Sequence, residues 1–368
     1  MTTVDEMWIR DARRVIHEGP TDFFKVEQRK YWIDLILCTT VAYISAAIFL
    51  GAPLFSWQQI VAFPFAAFWL YRGNSMVHEV SHLGKKQFTS FGFSWNLLLG
   101  IPTLFPSTFF TTHHRDHHSG RHYGTPQDPE YIVNVFTPGS MASMVFYLLH
   151  VGLYPIFVLF RFLLAPLTLL NPKLREFTLR RLSSFTLNWK YERNISRLDR
   201  KKFLLVEMAC CARAWLIPLG IFIGISDWTR IPLMYLLAIT ILAANQMRFF
   251  ADHHFESHGE KMSMAEHITD SCNYSKSDFF TWLFFPFTIR FHALHHLFPT
   301  IPYHNLPAAH QHLSDNLPAD SVYLSLDQPN WWHTFKQTIQ FSKKSPAKQT
   351  ATKSPTKRVA KKDAKSAA

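Results

Sequence analysis

The stretch YWIDLILCTTVAYISAAIFLG, residues 31–51, carries a single formal charge, that of Asp34, in twenty-one positions. About 20 apolar residues are needed for a helix to cross the hydrocarbon core of a bilayer, so this run predicts a membrane-crossing helix. Further apolar runs follow at 57–77, 93–110, 146–170, 204–225 and 231–250. The fold class expected is an all-α integral membrane protein built on two transmembrane helical hairpins, 31–77 and 204–250, with interfacial helices between them. Runs 93–110 and 146–170 carry Pro102, Pro106, Pro155 and Pro166, and the second also carries Arg161. They are expected to be interfacial or re-entrant. Residues 1–30 are polar and charged, unlike a cleavable signal peptide.

Charge is distributed unevenly along the chain. The net charge is +12, yet residues 171–202 hold ten Lys and Arg against three acids, and residues 343–368 hold nine against one. Two local basic blocks fit a topology signal better than a duplex-binding face, so no nucleic-acid partner is expected. The linkers at 52–56 and 226–230 are short and nearly charge-neutral, which places them outside and both termini on the cytoplasmic side. The reading is of a multi-pass protein with a cytoplasmic N-terminal segment (1–30), a membrane domain (31–320), a C-terminal extension (321–342) and a disordered Lys/Ala-rich tail (343–368). The tail has too little apolar surface to offset the entropy of ordering. The four cysteines of the chain, Cys38, Cys210, Cys211 and Cys272, include no CxxC pair, which argues against a zinc ribbon or disulfide framework and for a reducing setting.

Histidine carries the chemistry. HEVSH places His78 and His82 at i and i+4, one above the other on a helix face. The same letters spell the HExxH of zinc proteases, with Glu79 as general base. HHRDHH repeats the spacing: His114, His117 and His118 share a face, and His113 with His117 makes a competing pair. HALHH brings His292, His295 and His296 at i, i+3 and i+4, and ADHHFESH adds His253, His254 and His258 after the last apolar run. His17, His150, His310, His312 and His333 stand alone and are read as structural. Eight imidazoles in three boxes, all expected on one membrane face, exceed the four ligands of a zinc site. Two metals use them better, and imidazole suits iron, which can activate dioxygen.

The order HEVSH, HRDHH and HALHH, each after apolar segments, resembles the membrane fatty-acid desaturase superfamily of histidine-rich, non-haem di-iron oxidases. HHLFPTIPYHNLP is similar to that family's third box and its continuation, and RFFADH, ending at His253, to its extra histidine after the fourth membrane helix. The resemblance implies that His78, His82, His114, His117, His118, His253, His292, His295 and His296 bind two iron ions. His254 competes with His253, and Asn245 could reach a metal through water. Asp116, Arg115 and Asp252 are candidates to orient the imidazoles. It also implies O2 as co-substrate, electrons from an external ferredoxin- or cytochrome-type partner, and a fatty acid or acyl-lipid substrate taken from the bilayer. The basic loop 171–202 could dock an acidic carrier or simply set topology. The expected reaction is desaturation, with hydroxylation and oxidative decarboxylation to a terminal alkene as alternatives and an intramembrane zinc protease as a distant one. The first box departs from the HRLWxH of acyl-CoA desaturases, and His292 from the Gln of front-end desaturases, so substrate and regiochemistry stay open.

Overall fold

A computed structural model describes residues 4–83, 88–137 and 139–340; the tail expected to be disordered lies outside them. The described residues form helices joined by loops, with isolated β-bridges only at His253–Ser271, Asn273–Phe291 and Asn273–Asp327. In chain order the helices are α1 (Val4–His17), α2 (Gln28–Gly51), α3 (Trp57–Ser75), α4 (Val77–His82), α5 (Thr89–Trp95), α6 (Ser107–His117), α7 (Met141–Leu163), α8 (Pro172–Arg181), α9 (Arg200–Phe222), α10 (Arg230–Asp252), α11 (Met264–Thr269), α12 (Phe279–Phe284), α13 (His292–Leu297), α14 (Leu306–Asn316), α15 (Val322–Ser325) and α16 (Trp331–Gln340).

Four of these, α2, α7, α9 and α10, are long and apolar enough to cross a membrane, and only 11–33% of their apolar windows is buried inside the protein. The uncovered faces are rows of large aliphatic side chains such as Ile33, Ile36, Ile44 and Ile48 on α2 and Leu148, Leu149 and Leu153 on α7. An exposed apolar surface of this extent suits lipid. The run 146–170, expected to be interfacial or re-entrant, is instead one continuous helix to Leu163 that tolerates Pro155 inside it. Its Arg161 is neutralised within the protein: Nη2 donates to Glu207 Oε1 at 2.5 Å, and Arg175 donates to the same oxygen from Nη1 at 3.0 Å while its Nη2 lies 2.7 Å from the other oxygen as an ion pair. The helix α7 packs against both α9 and α10, whereas α9 and α10 scarcely meet, so the two helices of the second expected hairpin are joined through α7 and not packed as a pair.

The first pair, α2 with α3, packs along its length. Ser56 caps α3 by accepting from Gln59 N, and Gln59 Nε2 in turn donates to Phe49 O at 3.1 Å, tying the turn to the end of α2. The run 93–110 is broken. A π-helical turn at Asn96–Gly100 follows α5, and the Asn96 side chain then clamps Ser107, accepting from its N at 2.9 Å and donating to its Oγ at 2.7 Å. That clamp fixes where α6 begins. At the other end of the chain α1 buries Trp8, Ile9, Ala12 and Ile16 in one cluster with Leu294 and Leu297 of α13 and Leu306 and Leu313 of α14. The result brings α4, α6, α13 and the end of α10 together.

Candidate metal centre

Each histidine-bearing helix is short and pinned. Arg115 of α6 donates twice to Ser81 O at the end of α4, at 2.9 and 3.2 Å. The start of α13 is held by Asn273, whose Oδ1 accepts from Leu294 N at 3.1 Å, and by Cys272 O, which accepts from Ala293 N. His253 leaves α10 in extended conformation and bridges to Ser271.

All nine histidines expected from the sequence come together, and they divide into two groups: His78, His82, His114, His118 and His295 in one, and His117, His253, His292 and His296 in the other. Within each group the candidate ligand atoms lie within 4.8 Å of one another. Helical spacing explains the division. The i, i+4 pairs His114/His118 and His292/His296 each face one group, whereas the i+3 residues His117 and His295 turn to the opposite one. Both α6 and α13 therefore contribute to both groups.

The ring nitrogens meet without any proton arrangement that satisfies them all. His114 Nε2 lies 2.9 Å from His82 Nε2 and 3.1 Å from His118 Nε2, and His118 Nε2 lies 3.2 Å from His295 Nε2. In the second group His292 Nε2 is 3.1 Å from both His253 Nε2 and His296 Nε2. His78 Nε2 is buried with no hydrogen-bond partner among the described residues. Neutral imidazoles crowded in this way would oppose their lone pairs. A metal with nitrogen ligands at about 2.0–2.1 Å sets neighbouring ligand atoms about 3 Å apart, so the donor sets fit two imidazole-binding metals.

The opposite ring nitrogens are held from behind. His114 Nδ1 lies 2.8 Å from Glu130 Oε1, His117 Nδ1 2.9 Å from Asp128 Oδ1, and His78 Nδ1 3.4 Å from Glu79 Oε1. Tyr123 OH stands 2.9 Å from His253 Nδ1 and donates to Asp270 Oδ2 at 2.7 Å, while Ser271 Oγ is 3.1 Å from the same ring nitrogen. His296 Nδ1 meets His267 Nε2 at 2.7 Å, and Tyr123 stacks on His267. Partners of this kind fix tautomer and ring orientation.

Burial sets the electrostatics. It holds the imidazoles of His78, His82, His114, His118, His253, His292, His295 and His296 well below their ordinary range, so their lone pairs are free for metal. His117 is the exception: burial opposes protonation, but the Asp128 carboxylate and then Glu130 carry it up to about 9. Burial raises Glu130 to about 7 against the pull of His117.

The structure also resolves the sequence's alternatives. His113 turns away, its Nδ1 3.0 Å from Phe109 O, so His114 joins the cluster in its place. His254 lies outside both groups, 3.5 Å from Cys272 Sγ and from Gln328 Nε2. Asn245 accepts from Arg248. The three candidate orienting residues are engaged elsewhere: Asp116 accepts from Tyr191 OH, Arg115 holds Ser81, and Asp252 pairs with Arg248. The residues that do orient the rings, Glu130, Asp128, Tyr123, Ser271 and His267, were not picked out. The segment GTPQDPEY reads as a loop leaving the site, but it turns back and delivers Asp128 and Glu130. Two acids flanking Pro129 just after the second box were the available signal. The isolated histidines His17, His150, His310, His312 and His333 lie outside both groups, as expected.

Comparison with known proteins agrees with this geometry. The model of the fatty acid desaturase family matches residues 55–326. A ceramide hydroxylase of Caulobacter vibrioides (strain NA1000 / CB15N) is 34% identical over 312 residues, covering 81% of this chain and 85% of that one. No solved structure matches.

Proposed function

Because the chain belongs to the fatty acid desaturase family and is an oxidoreductase, we propose that it is a membrane-bound di-iron enzyme that hydroxylates a ceramide-type lipid with O2. The observation that carries the di-iron reading is the division of nine clustered imidazoles into groups of five and four. His78, His82, His114, His118 and His295 would hold one iron, and His117, His253, His292 and His296 the other. Two irons bound there would supply the activation of dioxygen that attack on an unactivated C–H bond requires. Hydroxylation, in preference to the desaturation expected from the sequence, rests on the likeness to the ceramide hydroxylase. Nothing found supports decarboxylation.

The chain's own residues hold and shield. Glu79, Glu130, Asp128 and Tyr123 keep the Nδ1 side of four rings occupied, so that each Nε2 faces inward. Phe110 stacked on His114 and Phe255 edge-on to His253 exclude water from the rings. The protease reading loses its base: Glu79 accepts from Tyr31 OH at 2.7 Å and Tyr303 N at 3.1 Å, so the carboxylate serves the scaffold. Forming an alcohol from C–H and O2, with water as the other product, consumes two electrons and two protons. An external ferredoxin- or cytochrome-type carrier would supply the electrons. The basic blocks at 171–202 and 343–368 support a cytoplasmic site and cytoplasmic termini.

The test is aerobic turnover of purified protein with a reductant and a panel of ceramides, acyl-CoAs and free fatty acids, with analysis of lipid and headspace. A ceramide one oxygen heavier, labelled from isotopic O2, is expected. A product merely two hydrogens lighter would return the enzyme to desaturation, a volatile 1-alkene to decarboxylation, and one zinc per chain would remove the di-iron reading.

A further inference from the structure

Two consecutive residues just ahead of the third histidine box sit in left-handed backbone although neither is glycine: Phe287 at φ 54° and Thr288 at φ 55°. A β-branched residue there is a genuine outlier. Such backbone persists only where its surroundings enforce it, and it concentrates at ligand clamps and switches. Here the clamp is explicit. The Phe287 ring lies under the Arg72 guanidinium, 4.2 Å from Cζ to the ring centroid, and edge-on to Tyr303 at 5.2 Å. Thr288 Oγ1 donates to Tyr303 O, and Asp34 ties the clamp together by accepting from Tyr303 OH and, at 3.3 Å, from Arg72 Nη2.

The element that this hinge carries is α12. It straddles two apolar helices: Trp282 stacks on Phe68 of α3 with centroids 4.9 Å apart, Tyr71 OH of α3 donates to Phe284 O at 2.6 Å, and α12 packs on α10. Those helices run into ligand-bearing segments, α3 through α4 to His78 and α10 to His253, so α12 lies across the seam that ends at both metal groups. Phe279 and Trp282 on its outer side are 64% and 55% exposed, as is Phe65 one turn from Phe68 on α3, so this face meets lipid. Among the described residues, the Tyr71 bond is the one hydrogen bond that joins residues 276–285 to the rest of the chain. An element tied this lightly belongs to the part of a fold that opens first. All four imidazoles of the second group are buried, so a lipid chain reaches them only when some element moves aside. The third box is pinned through Asn273 and Cys272, so release of the hinge displaces α12 and not the histidines. We propose that α12 is a lid over the bilayer entrance to the metal centre, latched shut by the Phe287 ring against the strained backbone that carries it. Freed of its clamp, that backbone relaxes, α12 lifts and an acyl chain enters. This inference rests on the acyl-lipid oxidation proposed above.

The experiment follows amide hydrogen exchange of residues 276–285 by mass spectrometry, together with the association rate of a fluorescent ceramide, on full-length, iron-loaded protein in detergent. Phe287→Ala removes the clamp and keeps the strain. Phe287→Gly removes both, since glycine enters left-handed backbone freely. The cation–π and edge-on contacts are together worth about tenfold or more, so Phe287→Ala should exchange at least about tenfold faster than the wild type and take up the probe faster. A left-handed residue with a Cβ is disfavoured by about tenfold, so Phe287→Gly should return about tenfold toward the wild type. A ring that served packing alone would leave glycine no better than alanine. Tyr71→Phe keeps the core filled, loses one neutral hydrogen bond and should exchange about three- to tenfold faster. Exchange unchanged in both Phe287→Ala and Tyr71→Phe, glycine as fast as alanine, or faster exchange with unaltered probe uptake would each overturn the inference. Exchange and uptake are read without turnover. The expected pattern, with no oxidised ceramide from the wild type, would sink the reaction and leave the lid standing.

Discussion

Asp128 accepts three hydrogen bonds, from His117 Nδ1 at 2.9 Å and from the backbone N–H of Glu130 and of Gly124 at 3.0 Å each. One carboxylate thus folds the loop and aims a candidate ligand. Asp128→Ala is expected to weaken metal binding by about 10–100-fold, read as iron retained after dialysis against a chelator. His113→Gln, one position from His114, should retain two irons per chain. A pH dependence follows from His117, whose imidazole is raised to about 9. Below that pH the ring carries a proton that metal must displace, so affinity at its group should rise about tenfold per pH unit and level off near pH 9. Titrating metal-free protein at several pH values checks this; a flat profile in the wild type would contradict the protonated ring.

Among elements, α7, α8 and α9 meet at Glu207, which takes Arg161 on one oxygen and Arg175 on both. Glu207→Leu leaves two arginines without their acid, one of them buried, and should cost about 3–5 kcal/mol, seen as a lower unfolding temperature in detergent. Arg161 also explains a misreading. An arginine near the end of an apolar run, with prolines beside it, argues for an interfacial segment as long as its acid is unseen, and Glu207 is 46 residues away. The histidine boxes were legible because i, i+4 spacing is local and survives any tertiary arrangement. The groups behind the rings were not, because Tyr123 reaches His253 across 130 residues and Ser271 reaches it across 18. Choosing His114 over His113 likewise needed the direction of α6 against α4, which no spacing contains.

At the scale of the molecule, the N-terminal helix is part of the site's support. Trp8, Ile9 and Ile16 share a core with Leu294 and Leu297 of the third-box helix, and a fully buried large aliphatic or aromatic side chain contributes about 1.5–3 kcal/mol. Removing residues 1–19 should speed iron release to a chelator several-fold while the four apolar helices stay folded by circular dichroism. The exchange of ligands between helices reaches further. Because α6 and α13 each serve both groups, the first ion to arrive orders the two helices that the second needs, and part of its ordering entropy is already spent. Iron uptake should therefore be cooperative: in a titration watched by native mass spectrometry the chain passes from empty to doubly loaded, and the singly loaded form stays a minor species throughout.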